Sequence, residues 1–173
     1  MIKMERWSLL VLLGVACGVS AKPADVAQRV KALDALLAEQ WQHQLEANPE
    51  SATVLGDLRY NDRWNDASLA HVQREHKVTE DFLRRFEAID TQGLPDDAKL
   101  NQQLMVRQLK EDLRSDDLKL YEMPLEQMSG IQIELPSLIS SMPFDNARQY
   151  EDYLARLKAI PTVLDRRDRK SVV

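Results

Sequence analysis

Cysteine is nearly missing: Cys17 is the only one in 173 residues. One thiol cannot close an internal disulfide, so no cross-linked scaffold underlies the fold. Glycine is scarce, at five residues, and a strand-rich fold would need more tight turns. Histidine occurs three times and is never followed by glutamate; Glu75-His76 is the reverse order. The helix-borne zinc motif, with two histidines a turn apart and a glutamate base, is therefore absent. An excess of basic charge is also missing. Lys plus Arg number 23 against 28 Asp plus Glu, and the net charge of -5 argues against nucleic acid as a partner. What is present is ordinary for a globular helical chain: 44% apolar and 29% charged residues.

Helical periodicity dominates. Val26, Val30, Leu33, Leu37 and Trp41 form one stripe, which predicts a helix over 26–47 stopped by Pro49. His43 lies beside Trp41, one position off that stripe, and is expected to be solvated or at a rim rather than a ligand. A second helix is predicted over 67–90, capped by Asp66 or Ser68, with Leu69, Val72, Phe82, Phe86 and Ile89 inward. His71 and His76 are five apart on it, so on different faces, and neither is expected to share a metal with a ligand one turn away. A third helix, 97–114, opens on Asp96-Asp97, where negative charge is favoured, and turns Leu100, Leu104, Met105, Leu109 and Leu113 inward. A fourth, 146–160, begins with Asp145 or Asn146 and Gln149 as a capping box and buries Tyr150, Tyr153, Leu154 and Leu157. Pro161 ends it or opens the next. The expected class is all-α: antiparallel helices with long irregular connections, part of a larger helical cleft-type domain.

Two stretches break the period. Asn48–Asp66 is bent by Pro49 and Gly56 and rich in turn-forming Asp and Asn, with Val54, Leu55, Leu58, Tyr60 and Trp64 expected to pin it to a core. Leu118–Phe144 is interrupted by Pro124, Gly130, Pro136 and Pro143. Within it Ile131, Ile133 and Leu135 alternate with polar residues, which predicts a short extended segment, then one or two helical turns over 136–141.

The two ends read differently from the middle. Lys3 and Arg6 precede an apolar run, Trp7–Val19, and Val19-Ser20-Ala21 offers small residues for signal cleavage. Residues 1–21 are expected to be a signal peptide cut between Ala21 and Lys22, placing the protein in the periplasm or outside the cell. Lipidation at Cys17 is the alternative route and the only one expected to leave it on a membrane. Residues 168–173 resemble the translation of a sequencing adapter, so native sequence is expected to end near Arg167.

Pro49-Glu-Ser-Ala-Thr-Val-Leu-Gly-Asp57 with Tyr60-Asn-Asp62 and Asp66-Ala-Ser68 resembles the N-terminal signature of the family known as domain of unknown function 885. Glu126-Gln-Met-Ser-Gly-Ile-Gln-Ile-Glu-Leu-Pro136, Pro143-Phe144 and Tyr150–Pro161 resemble its next landmark. The resemblance implies an exported, mostly helical protein similar to zinc metallopeptidases, whose His-Glu-x-x-Pro-Gly-His motif lies in the later half of the family's sequences. No catalytic or metal residue transfers to this chain, and zinc is implied for the full-length family alone. Residues 22–167 are then the N-terminal lid or wall of a larger domain, with the missing C-terminal half of the same polypeptide as partner. By analogy Tyr60, Asp62, Gln127, Ser129 and Gln132 face a peptide substrate. The competing reading is a complete exported helical binding module without enzymatic activity.

Overall fold

The computed structural model describes residues 23–122 and 130–168. The expected signal segment with Cys17, Ala21 and Lys22, the Glu126–Ser129 part of the second landmark with Gln127 and Ser129, and residues 169–173 lie outside them. Six α-helices account for the regular structure: α1 Pro23–Ala47, α2 Pro49–Val54, α3 Leu69–Glu87, α4 Asp96–Asp117, α5 Ile131–Ile139 and α6 Ala147–Asp168. Short 3-10 turns follow α2 and α4. The fold is all-α, with no strand among the described residues.

The core is made by α1, α3 and α4. Leu33 and Leu36 of α1 meet Phe82 and Phe86 of α3 and Ala98 and Leu109 of α4, with Leu94 closing one end. Cross-helix pairs fix the directions. Arg29, Glu39 and His43 of α1 meet Asp90, Arg85 and Glu75 in descending order, so α1 and α3 are antiparallel. Gln102 and Asp116 of α4 meet Phe86 and His76, so α3 and α4 are antiparallel too. The α3–α4 turn needs Gly93, whose φ of +78° suits a residue without Cβ. Buried Gln102 donates to the Phe86 carbonyl at 3.0 Å, bonding an acceptor in the last turn of α3.

Which face turns inward differs from the sequence expectation in α4 and α6, and in α1 at one residue. On α1, Leu33 is buried and Val26, Val30 and Leu37 pack against the core as expected, while Trp41 is 47% exposed. On α4 the buried line is Ala98, Gln102 and Leu109, and Leu100 and Leu104 are more than half exposed. Small Ala98 lets α4 approach α3 closely, and the bond to Phe86 fixes the rotation that leaves the two leucines outside. On α6, Arg156 and Val163 are buried, whereas Tyr150, Leu154 and Leu157 are exposed. An apolar seam at 150, 154, 157 and 164 therefore runs along α6 facing outward, about 120° from the buried side at 100° per residue.

Two element assignments also change. Ile131–Leu135 is not extended; it forms the first turns of α5. A lone strand has unpaired amides and carbonyls, whereas a helix satisfies them locally, and no strand among the described residues is there to pair with it. Gly130 starts the helix from φ +125°, and the Ile133 and Glu134 amides both bond its carbonyl. Pro161 does not end α6, which continues to Asp168. The bond it forfeits is the one to the Leu157 carbonyl, on the open seam where water can replace it. The expected cap of α6 is made: Asn146 Oδ1 accepts the Gln149 amide, and Gln149 Oε1 accepts the Asp145 amide.

These rotations set an expected pair of outcomes. Phe86→Ala should cost about 3–5 kcal/mol by cavity formation. Leu104→Ala, on the face that periodicity alone would bury, should change stability by less than about 0.5 kcal/mol. Urea denaturation measures both, and similar losses for the two would mean that α4 is turned the other way.

Candidate functional site

The Asn48–Asp66 stretch folds into a tight structure of its own. Pro49 biases Asn48 away from the α region, then opens α2 at its first turn. Six residues later α2 closes on Gly56 at φ +85°, with the Asp57 amide bonded to the Ala52 carbonyl and the Gly56 amide to that of Thr53. Asp57 accepts the Arg59 amide and guanidinium and holds the next turn. Ser68 caps α3, accepting the His71 amide, and Asp66 in turn accepts the Ser68 amide.

Of the apolar residues expected to pin this stretch, Trp64 does so but three others do not: Val54 is 66% and Leu55 61% exposed, and Leu58 is exposed as well. A buried arginine pins it instead. Arg156 of α6, 1% exposed, donates from Nε to the Arg63 carbonyl at 3.0 Å. Its NH2 reaches the Pro49 carbonyl, the Tyr60 carbonyl and Thr53 Oγ1 at 3.2, 3.2 and 2.9 Å. The Thr53 hydroxyl lies 2.6 Å from Oδ1 of buried Asn61. Trp64 donates Nε1–H to the Arg156 carbonyl at 2.9 Å, and its ring packs against the guanidinium. Burial pulls the Arg156 pKa down from the ordinary guanidinium value, opposed by the charges of Glu50, Asp62 and Asp152. Arginine suits this place because its planar fork meets several acceptors at once and remains charged.

Two clefts flank the pinned stretch and share Asn48 and Asn65. One, of about 440 Å³, lies among α1, α3 and α4 and is lined by Asp66, His71, Glu75, Asp112, Asp116 and Tyr121 with neutral polar groups. The other, of about 740 Å³, lies between α2 and α5, with Val54, Leu55 and Leu138 beside Glu50, Glu134 and serine hydroxyls. Its walls come from the two segments that carry the family resemblance.

All three histidines meet carboxylates. His43 is half-buried at the rim of a cleft: it stacks obliquely on Phe82 and its Nε2 lies 2.7 Å from Glu75 Oε2. His71 and His76 each have a carboxylate one turn on, Glu75 and Glu80, at 3.9 and 3.7 Å. His43 and His71 thus converge on Glu75, while His76 turns to Asp116 at 3.2 Å on α4. Among the described residues no three His, Cys, Asp or Glu groups are placed to hold a metal. These residues do not fit zinc; as placed, they join α3 to α1 and α4.

The predicted substrate residues are spread out. Tyr60 lies between the guanidinium groups of Arg59 and Arg63 and lines a third cleft, of about 520 Å³, with His43, Phe82 and Arg85. Asp62 is exposed near Arg156, and Gln132 is exposed on α5. Tyr60 and Gln132 do not line the same cleft. Arg156, Thr53 and Asn61 went unrecognised in the sequence. An arginine in an amphipathic helix reads as surface, because arginine is rarely buried fully.

An all-α chain, its irregular loop tied to a distant helix by a buried arginine and flanked by open clefts, defines a helical cleft protein. The chain belongs to the family described as "Bacterial protein of unknown function (DUF885)", which matches residues 49–170, from the first residue of α2 through α6. No curated protein and no solved structure matches it.

Two outcomes test the pin and the loop. Arg156→Met should cost about 3 kcal/mol or more, since several buried carbonyls lose a charged donor, and Arg156→Lys should recover only part of it. Chemical denaturation measures both; full recovery by lysine would contradict the fork geometry. Asp66 gives a pH signature. Burial raises its carboxyl pKa, but hydrogen bonds from Ser68 and the charge of Arg166 outweigh that, so it lies below the usual carboxylate range. A lowered folded pKa means stability that is present above the unfolded value, about 4, and lost as pH falls through the folded value. Asp66→Asn should therefore flatten the acid side of the stability curve, read from melting temperatures at a series of pH values.

Proposed function

We propose that this chain is the N-terminal wall of an exported zinc-metallopeptidase-like protein and is not catalytic by itself. The observation that carries the reading is the α6 seam. Tyr150, Leu154, Leu157 and Leu164 recur at the 4-3 spacing with which helices pack in bundles, and they are exposed. A contiguous exposed apolar stripe of this kind marks an interaction surface. Later helices of the same polypeptide would cover it. Family membership supports the reading, since the resemblance implies a larger protein whose zinc motif lies further on. On this reading the described residues shape and line the substrate cleft. Export with cleavage after Ala21 belongs to the same proposal.

The genomic reading frame downstream of the Arg167 codon is the direct test. It should continue into a His-Glu-x-x-Pro-Gly-His motif, and its product should bind zinc and cleave peptides. A natural stop at that point would instead favour a self-contained binding module. The chain as it stands should bind a hydrophobic dye, and Leu154→Glu with Leu157→Glu should abolish most of that signal without loss of helix in circular dichroism. Undiminished dye binding would mean that the exposed surface lies elsewhere.

A further inference from the structure

We infer that the groove between α2 and α5 docks a peptide segment carrying an apolar side chain next to a basic one. The inference rests on the reading of the chain as a substrate-facing wall and adds the chemistry of the occupant. Three features narrow that chemistry. Val54 and Leu55, at the end of α2, present the largest exposed aliphatic surface of the loop, with Leu138 of α5 in the same groove. The about 740 Å³ enclosed there is within the range of ligand-binding clefts. Glu50 and Glu134 stand on its walls, and the neighbouring cleft, which shares Asn48 and Asn65 with it, is lined by Asp66, Glu75, Asp112 and Asp116. Asp66, Glu75 and Asp116 already meet Arg166, His43 and His76, Glu50 accepts the Asn65 amide, Asp112 accepts from Gln108, and Glu134 is engaged as well. Even so, the two linings together hold six carboxylates against one histidine, and no lysine or arginine among the described residues.

Electrostatic complementarity selects a cation and opposes an anion. A bare inorganic cation gains nothing from Val54 and Leu55, and an acyl chain alone gains nothing from the carboxylates. A basic and apolar peptide meets both. Its backbone amides and carbonyls also find partners in the Ser51, Ser137 and Ser141 hydroxyls and the Asn48 side chain that line the groove.

Fluorescence anisotropy on the full 173-residue chain tests this with three labelled peptides: Ala-Lys-Leu-Lys-Leu, Ala-Glu-Leu-Glu-Leu and Ala-Lys-Gly-Lys-Gly. The first should saturate, and the other two should bind at least about tenfold more weakly, the loss of about 1.4 kcal/mol that a missing charge match or apolar contact gives. Leu55→Asp and Glu134→Gln, both at exposed positions, should each weaken the first peptide about fivefold or more, while Leu104→Asp on α4 should leave it unchanged. Equal binding of the acidic peptide, insensitivity to both groove variants, or no saturation by a chain with a cooperative thermal transition would overturn the inference. The same titration on the longer gene product keeps the test decisive should the shorter chain not hold its fold. Selective binding by a chain whose gene stops at Arg167 would uphold the groove and remove the peptidase reading. A peptidase without this selectivity would do the reverse.

Discussion

The Arg156 guanidinium is the buried link between α6 and the loop, with the Trp64 bond and the Asp66–Arg166 pair beside it. It joins α6 to a stretch about a hundred residues earlier, through three backbone carbonyls and one hydroxyl. Buried charge is expensive unless its donors are used, and the loop's backbone carbonyls are equally expensive unless they are bonded. Each half solves much of the other's problem, although Arg156 Nη1 and Asn61 Nδ2 have no partner within the protein. The loop curls so that Pro49, Tyr60 and Arg63 offer carbonyls to one point, and the short α2, the Gly56 closure and the Asp57 turn follow from that curl. The clefts on either side of the loop exist because it is fixed there.

The rest of the molecule is simpler in its physics. α1, α3 and α4 pack by burying phenylalanine, leucine and alanine, with Gln102 bonding a carbonyl at the end of α3. Polar pairs then set the alignment of helices whose apolar faces would tolerate more than one rotation. Glu39 with Arg85 lies on the surface, and its guanidinium hydrogen bond holds the Glu39 carboxyl below the ordinary value despite the small opposing effect of burial. Exposed pairs of this kind contribute little energy. The histidine–carboxylate contacts are half-buried and join α3 to both neighbours, so they mark alignment more than strength.

The groove and the α6 seam give the protein two faces of different character. The groove is lined by carboxylates, hydroxyls and a few aliphatic side chains, the mixture that suits a transient polar ligand. The seam is aliphatic and regular, the pattern that suits permanent helix packing. Both lie within residues 49–170, the stretch that matches the family.

The all-α class, the four long helices and most of their ends were legible in the sequence. They depend on local physics: 3.6-residue periodicity, Ser68 and Asn146 as caps, Gly93 in its turn, Pro49 as a stop. The rotations of α4 and α6 were not legible: on α4, Leu100 and Ala98 are both apolar enough to face a core, and only the neighbour's shape decides between them. Ile131–Leu135 misled because period-2 alternation says nothing about whether a partner strand exists. The clefts were half legible: the sequence singled out both segments that wall the larger one, but not the side chains that line it. Arg156 was not legible at all. Its role comes from acceptors about a hundred residues away, and no local pattern distinguishes a buried cation from a solvated one. Sequence alone determined what forms through contacts within a few residues; the tertiary structure decided every feature whose energy depends on a distant partner.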